Sequence, residues 1–201
     1  MGLTIHYHFD AGSRPLTEIR HLIEVLHSTA ADLPFELLDK EIVELVGEEC
    51  HLTGSGEDKW SLLKIRAMKF DISNLDREEH PVHIIGFTSL PRRGAEELDI
   101  FLCRYKYSND WVAHANCKTQ YAQLPEHGGT PNFILAHTMI VALLDKAQSL
   151  GILEEVVDET DYWENRNPHT LAKEGEDWNS ITREIGEILK GLPKQSLSGL
   201  N

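Results

Sequence analysis

No stretch of the 201-residue sequence approaches about 18 uninterrupted apolar residues, so nothing in it is a candidate for a bilayer-spanning helix. Cysteine is scarce, and Cys50, Cys103 and Cys117 form an odd set at wide spacing with no C-x-x-C pair. That excludes a disulfide framework and a thiolate-rich structural zinc site, and it predicts a reducing, cytoplasmic setting. Met1 to Asp10 lacks a basic region followed by an apolar run, so no secretory signal is expected, and His6 stands where an N-myristoylation pattern needs Ser or Thr. Positive charge is in deficit: 19 Lys and Arg against 33 Asp and Glu leave a formal charge of −14. Such a surface repels phosphate backbones, so nucleic acid is not an expected partner, whereas a basic protein would be drawn to it. The G-x-G-x-x-G and Walker lysine patterns are missing as well, which removes the common nucleotide-binding loops.

What is present describes a folded protein. A hydrophobic fraction of 41% with 26% charged residues fits a globular chain and not a disordered one. Leu3 to Phe9 alternates with period two, which predicts a half-buried strand. Ser13-Arg14-Pro15 marks the start of an amphipathic helix over 15–31, carrying Leu16, Ile19, Ile23, Leu26 and Ala30 on one face. Residues 35–53 fit helix or strand, with 41–46 read as strand. Four strand-like runs follow, Trp60 to Ile72, Val82 to Leu90, Leu98 to Tyr105 and Trp111 to Gln120, joined by connections too short for crossover helices. Thr130 and Pro131 are expected to open an apolar helix over 132–150 that Gly151 stops. A strand at Leu153 to Val157, a brief helix near Leu171 and a last amphipathic helix carrying Trp178, Ile181, Ile185 and Leu189 complete the reading. The expected fold is α+β: a mainly antiparallel sheet of five to seven strands with three main helices packed largely on one face, forming a single domain over 1–193 with a frayed tail over 194–201.

Three groups of residues carry candidate chemistry. His6 and His8, two apart on a strand, project from one face and suit two imidazoles on one divalent metal ion, with His114 or His83 as a third ligand from a neighbouring strand. The alternative is a polar strand face that happens to hold histidines. Cys117 is a candidate nucleophile, with His137 as its base, because a thiol near neutral pH is mostly protonated and needs such a neighbour. Lys118 and His114 point away from it on a regular strand, and the alternative is a cysteine packed in the core. Asp158, Glu159, Asp161 and Glu164 surround Tyr162 and Trp163, either as an acid–base or divalent-ion group or as a solvated acidic loop.

The run Cys117-Lys-Thr-Gln-Tyr-Ala122, with Gly128-Gly129, Asn132-Phe133, His137, Asp158-Glu159, Tyr162-Trp163 and Trp178-Asn179, resembles a group of bacterial proteins without an assigned activity. The likeness spans roughly Trp111 to Leu189 and implies no cofactor or residue role. It does direct attention to Lys118, Gln120, Tyr121, Tyr162 and Trp163, which a strand end, a helix start and an aromatic loop would gather around a cleft for a small ligand. The sequence therefore supports a binding or interaction protein, with a small-ligand cleft or an acidic partner surface, ahead of a hydrolase using a histidine-bound metal or the Cys117–His137 pair.

Overall fold

The computed structural model describes residues 3–52, 58–70, 78–177 and 180. Their order is β1 (Thr4–Gly12), α1 (Leu16–Ala31), β2 (Leu37–Leu38), β3 (Val43–Val46), α2 (Ser61–Arg66), β4 (Lys69–Phe70), β5 (Glu78–Glu79), β6 (Pro81–Leu90), β7 (Leu98–Tyr105), β8 (Trp111–Lys118), α3 (Gly129–Ser149), β9 (Leu153–Asp158) and α4 (Tyr162–Asn165). A helical run over 168–177 follows. The fold is α+β, built on a seven-stranded sheet in the order β2-β6-β7-β8-β1-β9, with β3 beside β2 on β6 and every pairing antiparallel.

Register decides which side chains share a face. In β1 the pairs Ile5↔Cys117, Tyr7↔Ala115 and Phe9↔Ala113 turn inward, while His6↔Asn116 and His8↔His114 turn outward. Helix α1 covers the inward face: Ile19, Leu22, Ile23, Leu26 and Ala30 are buried at helical spacing, and His27 meets the edge of Phe87 at 4.9 Å. Helix α3 packs beside α1 and buries ten residues, among them Phe133, Ile140, Leu143 and Leu144. Each large apolar side chain so buried contributes roughly 1.5–3 kcal/mol. Pro34 keeps α1 from running on, and Gly151, at φ +67°, turns the chain out of α3 into β9.

The opposite face is closed over β6 and β7 by α2. Tyr105 Oη donates to Ala67 O at 2.8 Å, and Arg66 reaches Asp99 from the same side. Strand β7 is consequently buried along nearly its whole length, whereas β1 and β8 alternate. Gly86 of β6 belongs to this tight region, since a Cβ there would lie 2.5 Å from Ile100 O.

Two expectations are corrected. The run Trp60 to Ile72 is not a strand as far as it is described: 61–66 are helical and only Lys69–Phe70 pair, with Glu78–Glu79. Asp58 explains the difference. Its carboxylate accepts the Trp60 N–H at 3.0 Å, its carbonyl accepts the Ser61 N–H at 3.0 Å, and it pairs with Lys64 Nζ at 2.7 Å, so it opens and then clamps a helical turn. Helix α3 starts at Gly129, with no side chain capping it, because Gly128 and Gly129 turn the chain at φ +111° and +71°; Thr130 sits inside the first turn. The expected last helix, with Trp178 and Asn179, and the tail over 194–201 lie outside the described residues.

Candidate functional site

His137 is fully buried in α3 and joins the ends of two strands. Its Nε2 lies 3.0 Å from Asp158 Oδ2 and 3.1 Å from Thr160 Oγ1, and its Nδ1 lies 3.1 Å from Thr119 Oγ1. Burial would raise the Asp158 carboxyl, but the bonds from His137 and from the Thr160 amide and hydroxyl outweigh it and hold the group below the usual carboxylate range. An ionised Asp158 accepts a hydrogen from Nε2, and the Thr119 hydroxyl, 3.1 Å from Nδ1, donates to Leu3 O at 3.2 Å. The Trp163 N–H also donates to Asp158 Oδ2, at 2.9 Å. Thr119, His137 and Asp158 follow the order of a nucleophile, base and acid, yet their exposures are 0%, 0% and 5%. Every polar atom has a partner in this network, which makes it a pin between β8, α3 and β9.

Cys117 is not part of that network. Its thiol is buried beneath the sheet and donates to Glu96 O at 3.3 Å, and burial pushes its pKa well above the usual thiol value. His137 bonds Thr119 in its place, so the nucleophile and base expected to meet are not joined.

The outward histidines occupy the open half of the sheet. His8 and His114 face each other across β1 and β8 with rings stacked at 3.6 Å and 16°, and His8 Nδ1 lies 2.7 Å from Glu154 Oε2. His6 is exposed on the same face. Burial, and then the neighbouring His8, lower the pKa of His114. Parallel rings set their nitrogens side by side and not toward one point, and among the described residues no group of three or more His, Cys, Asp and Glu is placed to hold a metal.

The five residues expected around a cleft divide into two sets. Lys118 Nζ lies 5.3 Å over the ring of Tyr121, which is half-exposed, while Gln120 is buried and accepts the Leu3 N–H at 3.3 Å. Tyr162 meets the edge of His137 at 5.9 Å, and the Trp163 ring lies under the Arg166 guanidinium at 4.3 Å. None of the five lines either of two cavities found among the described residues at the ends of β6, β7 and α1.

The larger of these cavities, about 320 Å³, lies at the amino end of α1. The pairings His83↔Arg104 and Gly12↔Trp111 bring the ends of four strands, β6, β7, β1 and β8, to one place, and the β1–α1 connection adds Arg14 and Leu16. Trp111 is a buried platform: the His83 ring meets its edge at 4.9 Å and the Arg104 guanidinium lies 5.4 Å over it. No carboxylate lines the cavity; Asn109, Ser13 and Pro15 complete the wall. Glu44 stands behind His83, 2.9 Å from Nε2, and its charge is taken by a two-point contact from Arg20 at 2.8 and 2.7 Å, which lowers the Glu44 pKa. The smaller cavity, about 260 Å³, holds the Lys59–Asp39 ion pair at 3.0 Å and is electrically mixed.

Sequence reading named His83 only as an alternative metal ligand and passed over Arg14, Arg104 and Trp111. Two signals were there: Arg104 interrupts the otherwise apolar end of β7, and Arg14 precedes a helix opened by proline. No protein-family model matches the chain, and neither a curated protein nor a solved structure is significantly similar to it.

Proposed function

We propose that this chain is a binding domain for a small anionic ligand, held in the cavity at the amino end of α1. One observation carries the reading. Arg20, Arg66, Arg92, Arg93 and Arg166 each lie within 4.0 Å of a carboxylate, whereas Arg14 and Arg104 have none among the described residues, and these two line the same cavity. In a chain of net charge −14, leaving two guanidiniums unpaired around one concave space favours an outside anion as their partner. The volume is at the low end of small-ligand sites, about 300–1,000 Å³.

The hydrolase reading has less support. Cys117 is held protonated by burial, and the linked hydroxyl–imidazole–carboxylate series of Thr119, His137 and Asp158 is enclosed and fully bonded. Thermal melting at fixed ionic strength tests the binding reading. Sodium phosphate or succinate should raise the melting temperature of the wild type by mass action, and an R14A/R104A double variant should lose that response. An anion response retained in the double variant would overturn it. So would an ester hydrolysis that disappears in a folded Cys117→Ala variant.

A further inference from the structure

We infer that the anion is a phosphoryl group, the tetrahedral dianion of a small phosphorylated molecule or of free phosphate, seated between Arg14, Arg104 and the first turn of α1. The inference rests on the binding reading above and specifies its ligand. A planar carboxylate is satisfied by one guanidinium fork, whereas this cavity offers donors from several separate elements. Arg14 comes from the β1–α1 connection and Arg104 from the end of β7, while the His83 ring of β6, its Nε2 taken by Glu44, forms part of the wall. Arg14 also donates to Gly151 O at 3.2 Å, which ties its side chain to the turn after α3, and Trp111 carries Arg104.

The helix supplies the remaining donors. Its cap position is Pro15, which has no N–H and no capping side chain, and no side-chain hydrogen bond closes this end. The Glu18 and Ile19 amides donate to Pro15 O, at 2.9 and 3.2 Å, which leaves those of Leu16 and Thr17 without a partner among the described residues. Ser, Thr, Asp and Asn are the favoured residues at this position; α1 has no such cap, and its first-turn carboxylate, Glu18, is not among the residues lining the cavity, so the amide end of the helix is open to whatever enters. Two guanidiniums balance a dianion, and amide donors complete the shell of an oxyanion with more than two acceptor oxygens.

Isothermal titration with inorganic phosphate, phenyl phosphate and succinate, at equal ionic strength, tests this. Both phosphates should bind more tightly than succinate, and Arg14→Ala or Arg104→Ala should each weaken phosphate binding about tenfold or more. Arg93→Ala removes the same charge from an arginine that Glu36 already occupies at 3.1 Å, and it should leave binding unchanged. Phenyl phosphate binding better than inorganic phosphate assigns an organic ligand, and the reverse assigns the free ion. A second measurement needs no variant: in the wild type, phosphate should shift the backbone amide resonances of Leu16 and Thr17 ahead of all others. Arginine-dependent binding of succinate without phosphate would overturn the phosphoryl assignment and leave the binding reading standing. Phosphate binding with those two amides unmoved would place the ion elsewhere and overturn the site. No arginine-dependent binding of any of the three would overturn both.

Discussion

Two polar clusters of this protein invite comparison. Around His137 every donor and acceptor is matched within the chain: Thr119, Asp158, Thr160 and the Trp163 amide close the set, and no side chain in it is open to solvent. Around Trp111 the reverse holds, with two guanidiniums that lack carboxylates among the described residues and a helix end lacking a cap, all beside open space. Buried polar groups that satisfy one another fix a fold; charged groups arranged around a space and left unmatched point to a partner. The first cluster looks more like an enzyme's reactive centre in sequence order, yet it is the second that has room for a ligand.

The comparison is broken most forcefully at His137. Replacing it with alanine leaves Asp158 as a buried charge without its partner and should cost about 3–5 kcal/mol in denaturant unfolding, the range for half of a buried pair. Arg14→Ala and Arg104→Ala, at partly exposed side chains, should leave unliganded stability within about 1 kcal/mol while abolishing the response to anions. A double variant that unfolds like His137→Ala would erase the distinction between the clusters.

Acid sharpens it. The Asp158 carboxyl has its pKa lowered in the folded state, so its stabilisation is complete above the unfolded value near 3.9 and is lost as pH falls through the folded value. Asp158→Asn should therefore flatten the acid limb of the stability curve. His114 gives a smaller effect nearer neutrality. Burial and then His8 lower its folded pKa, so stability present above the unfolded value near 6.5 declines as pH falls below it, and His114→Asn should remove that slope. The smallest expected signal is at Cys117: iodoacetamide should leave it unlabelled in the native protein and label it on unfolding, because the thiol is buried and held protonated.

Much of the architecture was legible because its periodicities are strong. The alternation of β8 and the apolar face of α1 place these elements to within a residue or two, and that of β1 places its start, although the strand runs three residues past Phe9 to Gly12. The strand assigned to 60–72 failed because Trp60-Ser-Leu-Leu-Lys-Ile shows no clean period of either kind, and Asp58, two residues before it, settles the conformation through its carboxylate. His137 was legible as a polar residue on an apolar helix. Its partners were not, because they meet it through registers in which Ile5 pairs with both Cys117 and Asp158. The basic cavity was invisible for the same reason: residues 14, 83, 104 and 111 become neighbours only when strand pairing sets His83 opposite Arg104 and Gly12 opposite Trp111.

Strand β9 carries a consequence of a different kind. It pairs with β1 on one side, and among the described residues no strand adjoins the other. Val157, 51% exposed, would make that side adhesive to a second copy of the chain. Glu154 and Glu155 stand in the same short strand, so two molecules approaching side by side would bring these carboxylates together and repel. The acidity that dominates the composition therefore extends to the open margin of the sheet, where like charges oppose the pairing of two copies.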